Sequence, residues 1–180
     1  MNANPAPGMT SAPRLAAILL LALSLTGCVG YRLGGVKPSA LANVNSIAVP
    51  VFANKTLEPR VGVLATNATV TALAADGTYK IATRADADAV LVAAVTRIDY
   101  IQIRADRLDT LRPTELENVV EIDWVLKDAR DPTKVLDRGI ALGTSRFFLD
   151  PNNQTSRTNA LPDAAKHAAR SIASQLGDGF

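Results

Sequence analysis

The stretch Val120-Glu121-Ile122-Asp123-Trp124-Val125-Leu126 decides the fold. Val120, Ile122, Trp124 and Leu126 share one parity while Glu121 and Asp123 take the other, which is the period of a strand with one buried and one wet face. On the C-terminal side, Asp131-Pro132-Thr133 predicts a turn and Val135 to Leu149 a returning strand. On the N-terminal side, residues 89 to 104 read as a long strand. Its apolar set changes parity at Ile101 and Ile103, so a bulge is expected near Tyr100. Residues 105 to 117 are polar and charged and read as a loop or hairpin tip. These three strands form an antiparallel meander.

The flanks of the meander read as helical. Before it, Thr56 is expected to cap a helix with Glu58 and Pro59 in its first turn and Gly77 as its stop. Leu57, Val61, Leu64, Ala68, Ala72 and Ala75 are its expected buried stripe. Tyr79 to Thr83 reads as a short strand. Ser46 to Phe52, apolar on both faces, reads as a covered strand in which Pro50 marks an edge or bulge. After the meander, Thr158 or Asn159 should cap a last helix with Pro162 in its first turn, Gly177 at its end and Leu161, Ala165, Ala168, Ile172 and Leu176 buried. The expectation is a single α+β domain, two helices packed on a four-stranded, mostly antiparallel sheet in the order β-α-β-β-β-α.

The N-terminus carries different information. Arg14 precedes an apolar run from Leu15 to Leu25, which is shorter than the roughly 20 residues a membrane span needs. Leu25-Thr26-Gly27-Cys28 resembles a lipobox, so residues 1–27 are expected to be a lipoprotein signal peptide and Cys28 the lipidated residue. Several acyl chains on that cysteine would anchor the chain to a membrane without spanning it. Val29 rather than Asp follows the cysteine, which in lipoproteins of this type is compatible with the outer membrane, here on its periplasmic face. Residues 28–45, with Gly30, Gly34, Gly35 and Pro38, read as a tether of about 17 residues reaching at most about 60 Å. The domain is expected over residues 46–180.

Composition excludes several function classes. Cys28 is the only cysteine, so there is no internal disulfide and no cysteine-based metal site. The formal charge of +2 argues against bulk nucleic-acid binding. The single histidine, His167, reads as a helix-surface partner of Asp163. Asp99, Glu121 and Asp123 read as outward carboxylates, and no glycine loop or serine elbow is present. The expectation is a binding protein, not an enzyme, without cofactor or metal.

Basic loop residues are the remaining candidates: Arg104, Arg107 and Arg112, then Lys127, Arg130, Lys134 and Arg138, then Arg146 and Arg157. Arginine suits phosphate because its planar fork bonds two oxygens at once. Arg146 and Arg157 flank the apolar step Phe147-Phe148-Leu149, a pairing that fits a phosphorylated lipid or a sheet edge entering the core.

Gly27-Cys28-Val29-Gly30-Tyr31-Arg32-Leu33 and Ser145-Arg146-Phe147-Phe148-Leu149-Asp150-Pro151-Asn152 together resemble the start and the last-strand exit of the LptE family of lipopolysaccharide-assembly lipoproteins. The resemblance implies a domain seated as a plug in the outer-membrane barrel LptD that binds lipopolysaccharide during its transport. It implies Arg157 as a lipopolysaccharide contact and, more loosely, Arg112 as a second, while Arg146 is a further candidate from its place beside Phe147-Phe148-Leu149. It also implies Phe147, Phe148 and Leu149 as an apolar contact to acyl chains or barrel wall. The chain departs from that pattern in its extended 104–117 loop and at Val29. A rival resemblance lies in Ile47-Ala48-Val49-Pro50-Val51-Phe52-Ala53-Asn54-Lys55-Thr56, which is similar to the first strand of CsgG- and LpoB-type lipoproteins, the latter activating a peptidoglycan synthase.

Overall fold

The computed structural model describes residues 37–105, 107, 113–149 and 153–178. The signal segment, Cys28 and Arg112 lie outside the described residues. The strands are β1 (Ser46–Ala48), β2 (Ala53–Asn54), β3 (Lys80–Ile81), β4 (Ala89–Ala105), β5 (Pro113–Asp128) and β6 (Val135–Phe148), with helices α1 (Val61–Asp76) between β2 and β3 and α2 (Asn153–Asp178) at the end. The sheet runs β3-β1-β4-β5-β6, and β2 also pairs with β4. β4, β5 and β6 are antiparallel, whereas β1 and β2 run parallel to β4. The α+β class and the helix pair are as expected. The sheet has six strands instead of four because the short β2 and β3 add to it.

The β5 alternation holds over a longer strand than expected. Leu116, Asn118, Val120, Ile122, Trp124 and Leu126 are buried toward the helices, so residues 113–117, read as part of a polar loop, belong to the sheet. Charged Glu115 and Glu117 disguise this half because they take the outward positions. In β4 the register shifts lie between Val95 and Arg97 and between Gln102 and Ala105, on either side of Tyr100. Pro50 does more than mark an edge. It interrupts the segment, so Ser46–Phe52 is not one strand: β1 ends at Ala48, Val51 is exposed, and pairing resumes in β2.

Both helices start elsewhere than expected. Asn54 Oδ1 accepts from the Thr56 amide (2.9 Å) and hydroxyl (2.8 Å), which ties Thr56 into a local turn and leaves Arg60, at φ 64°, to precede α1. The buried residues of α1 are Val61, Gly62, Ala65, Thr66, Thr69 and Leu73, a face rotated from the expected stripe. Leu57 is fully exposed, and Leu64, Ala68 and Ala72 are half-buried. The rotation has a cause in close packing: a Cβ on Gly62 would lie 2.5 Å from the Phe52 carbonyl oxygen, so this glycine admits the β2 approach. The Thr66 and Thr69 hydroxyls bond back to the Gly62 and Ala65 carbonyls, which lets polar residues occupy the buried face. Gly77 ends the helix as expected, in a left-handed conformation with its amide on the Leu73 carbonyl (3.1 Å).

α2 begins at Asn153, so Pro162 lies inside it and not in its first turn. Its stripe is buried as expected and joins one core with Leu91, Ile122, Trp124 and Leu126. Gly143 on β6 lets this helix press onto the strand, because any Cβ there would collide with the Ala164 carbonyl and the Ala168 amide. The free edge of β6 is also met by α2: Gln175 Nε2 donates to the Ile140 carbonyl (3.2 Å) and His167 Nδ1 to the Thr144 carbonyl (2.6 Å). His167 is thus an edge cap, and Asp163 pairs with Lys166 instead (3.1 Å).

The tether boundary also moves. Residues 37–45 are docked on the domain: a 3₁₀ turn at Ser39–Leu41 puts Leu41 and Val44 into the core. Asp88 clasps the end of this segment, accepting from the Asn45 and Ser46 amides (both 3.0 Å) and the Ser46 hydroxyl (2.9 Å). Those bonds hold the Asp88 carboxyl below the ordinary aspartate range.

Candidate functional site

The sequence candidates separate onto two faces of the sheet. On β6, Ser145 and Phe147 face the helices while Arg146 and Phe148 face away. Arg146 bonds Glu117 on the facing strand (3.2 Å), and Phe148 is 66% exposed. Leu149 is half-buried, its amide donating to the Thr114 carbonyl (3.1 Å).

Among the described residues, no element covers the helix-free face. Val92, Ile101, Ile140, Leu142 and Phe148 are exposed on it, interleaved with charged side chains, several of them ion-paired. Arg97 bridges Asp99 (3.2 Å) and Glu121 (2.6 Å), which lowers the Glu121 pKa and raises that of Arg97, chiefly through their mutual hydrogen bond. Asp99 and Glu121 are therefore ion-pair partners on a surface, with Asp123 exposed beside them. No group of three His, Cys, Asp or Glu among the described residues could hold a metal ion.

Arg157 is on the other face. Its guanidinium carbon lies 4.7 Å from the Tyr100 ring centroid, and Phe147 meets the same ring edge-on at 6.3 Å. The Tyr100 hydroxyl donates to Glu58 (3.2 Å), and burial, followed by the Glu58 charge, raises its pKa to about 12. Arg157 and Phe147 thus meet, whereas Arg146 and Phe148 stand across the sheet. Near the β6 edge, Arg146, Phe147 and Phe148 line a groove of about 270 Å³ with Thr155, Ser156 and Asn159.

The sequence reading missed Asn118. It is fully buried opposite Tyr100 on β4 and Ser145 on β6, and neither side-chain polar atom has a hydrogen-bond partner among the described residues. Arg157 Nε is likewise buried without a hydrogen-bond partner among the described residues. The signal was present in the alternation: extended by two residues from Val120, the buried parity lands on an asparagine.

A separate groove of about 440 Å³ lies between the helices, floored by Leu64, Ala68, Ala72 and Ala75 and rimmed by Lys166 and Arg170. No described helix is long and apolar enough to cross a membrane.

No family model and no curated protein matches the chain. Among solved structures, a dodecamer of a PelC point variant from Paraburkholderia phytofirmans is 22% identical, with 79% of this chain and 94% of that chain covered and a TM-score of 0.52. Looser likenesses include a minor lipoprotein from Acinetobacter baumannii (12% identical, 73% and 91% covered, TM-score 0.49) and lipoprotein GNA1162 from Neisseria meningitidis (17%, 64% and 92%, TM-score 0.41). None of the three is an LptE protein. The chain therefore has a fold shared with PelC, with bacterial lipoproteins among its more distant structural neighbours.

Proposed function

We propose that the chain is a lipoprotein anchored through Cys28 to the periplasmic face of the outer membrane, that it sits in an LptD-type β-barrel as LptE proteins do, and that it binds lipopolysaccharide. The observation that carries this reading is the uncovered sheet face. A long three-stranded surface with exposed Val92, Ile101, Ile140, Leu142 and Phe148, on which Arg97 and Arg146 are bridged to carboxylates, suits the inside of a larger protein better than open water. The cation and aromatic cluster of Arg157, Tyr100 and Phe147 adds the chemistry of a phosphorylated lipid. The protein would act by binding, without catalysis.

The test is to solubilise membranes gently and capture the tagged chain. A large β-barrel in equal amount is the expected partner. Capture of a peptidoglycan synthase instead overturns the reading in favour of an LpoB-like role. A second reading follows from the PelC likeness, since the same open face could join copies of this chain in a ring. Mass measurement of the captured complex distinguishes a one-to-one pair from a homo-oligomer.

A further inference from the structure

A surface helix ordinarily keeps an apolar stripe on the core and charged side chains toward water. α1 breaks that rule. From Val61 to Ala75 it carries no charged residue, although Val63, Asn67, Thr71, Ala74 and Ala75 are exposed. Thr71 asks little of water, because its hydroxyl donates to the Asn67 carbonyl in the same helix (2.8 Å). Such a wall suits an apolar neighbour, and the groove of about 440 Å³ between the helices runs along it. Small-molecule sites occupy about 300–1,000 Å³, so the groove is of their size.

The groove also has a direction. Both helices run the same way: Glu58, just before α1, and Arg157, near the start of α2, meet Tyr100, and Asp76 lies beside Gly177 where the helices end. Leu64 and Pro162 therefore line one end, while Lys166 and Arg170 lie toward the other with Thr71, Ala72 and Ala75. The two cations differ. Lys166 is bridged to Asp163 (3.1 Å), so its charge is already met and its methylene stem is what it adds to the groove. Arg170 is exposed, and no ion pair of the described residues includes it.

One free cation toward one end and an uncharged run toward the other fit a molecule with one head and one tail. A single guanidinium matches the two oxygens and the one charge of a carboxylate. A phosphate monoester, with nearly two charges, would need a second free cation. Eight residues separate Pro162 from Arg170, about 12 Å at ~1.5 Å per residue, which an alkyl chain of about ten carbons spans at ~1.25 Å per bond.

We propose that the groove between α1 and α2 binds a medium-chain fatty carboxylate, its tail along Ala72, Ala68 and Leu64 toward Pro162 and its head on Arg170. This site stands apart from the Tyr100 cluster and goes beyond the lipopolysaccharide reading, on which it does not rest.

The experiment titrates the full chain with three probes below their micelle concentrations. They are decanoate, decyltrimethylammonium, which has the same tail and the opposite charge, and butyrate, which has the head and little tail. Calorimetry reads affinity, and the Ala68 and Ala72 methyl signals in NMR spectra read place. The expected result is one decanoate per chain, bound at least tenfold tighter than either control and moving both methyl signals. Arg170→Gln, at an exposed position, should weaken decanoate about tenfold and leave the ammonium probe unaffected. Ala72→Phe, which fills the floor, should abolish decanoate binding. Equal affinity of the unaltered chain for decanoate and the ammonium overturns the proposal and needs no variant to fold. So does decanoate binding that leaves both methyl signals in place, or that is as tight in Arg170→Gln. No decanoate binding at all overturns it too, and leaves the uncharged wall of α1 to a protein partner.

Discussion

Two tyrosines, at opposite ends of the helix-covered face, each carry a cation over the ring. Lys37 Nζ stands 5.0 Å from the Tyr79 centroid and Arg157 4.7 Å from that of Tyr100. Burial comes first in raising both phenols to a pKa of about 12. The difference lies in what the cations do with their remaining hydrogens. Lys37 spends its own on the Val44 carbonyl (2.8 Å) and Asn45 Oδ1 (3.1 Å), and the Tyr79 hydroxyl donates to the Leu176 carbonyl (2.8 Å). At the other end, Arg157 Nε and the Asn118 amide have no hydrogen-bond partner among the described residues. One end closes a fold, whereas the other holds polar groups that the described residues leave unsatisfied.

The strongest way to break the comparison is at the contact that serves both ends. Gly143→Ala should lift α2 from β6 and cost at least about 3 kcal/mol, read as the loss in urea-unfolding midpoint. A stability loss under about 1 kcal/mol would mean that the helix is not pressed on the strand. Next, Tyr79→Phe strands a buried carbonyl and should cost about 1–2 kcal/mol, while Tyr100→Phe, whose acceptor Glu58 is half-buried, should cost less than about 1. Equal losses in paired chemical denaturations would erase the distinction between the ends. Smaller still, Asn118→Leu should leave stability unchanged or raise it by up to about 1 kcal/mol, because it removes two unsatisfied atoms at similar volume. A drop beyond that would show that the amide is bonded in solution without ligand.

The smallest effect is in pH. The Asp88 carboxyl is lowered first by the Asn45 amide, so its contribution is present above the ordinary carboxylate range and lost as pH falls through the folded value. Asp88→Asn should flatten the acid limb of thermal unfolding curves below about pH 4. The phenols act in the opposite sense. Their pKa values are raised, so their contribution is intact below the unfolded value near 10 and fades between that value and about 12. Tyr79→Phe and Tyr100→Phe should each remove part of the alkaline loss.

Much of this architecture is legible where one period dominates. The parity of Val120 to Leu126 and the large aliphatic residues of α2 admit one buried face each, and both are buried as read. α1 misleads because alanines lie all round it. With side chains of similar size on every side, the contact at Gly62 and the back-bonded Thr66 and Thr69 choose the face, and a hydrophobic count does not see either. The α2 start reads too late because Pro162 resembles a first-turn residue, although a proline inside a helix is tolerated where packing holds both sides. Of the site, Arg157 and Phe147 are visible as a cation beside aromatics. Their separation from Arg146 and Phe148 follows from strand alternation, but Asn118 needs the true start of β5.

The docking of residues 37–45 bears on how tightly a membrane could confine this domain. With Leu41 and Val44 in the core, only residues 29–36 are left between Cys28 and the docked segment. Eight extended residues reach at most about 28 Å, against about 60 Å for the whole 17. The volume accessible around a lipid anchor scales as the cube of that radius, so the effective concentration of the domain toward anything in the same bilayer rises by about tenfold. With the proposed lipid on Cys28, so short a leash would strengthen a weak encounter with a membrane neighbour by that same factor, with no new contact between them.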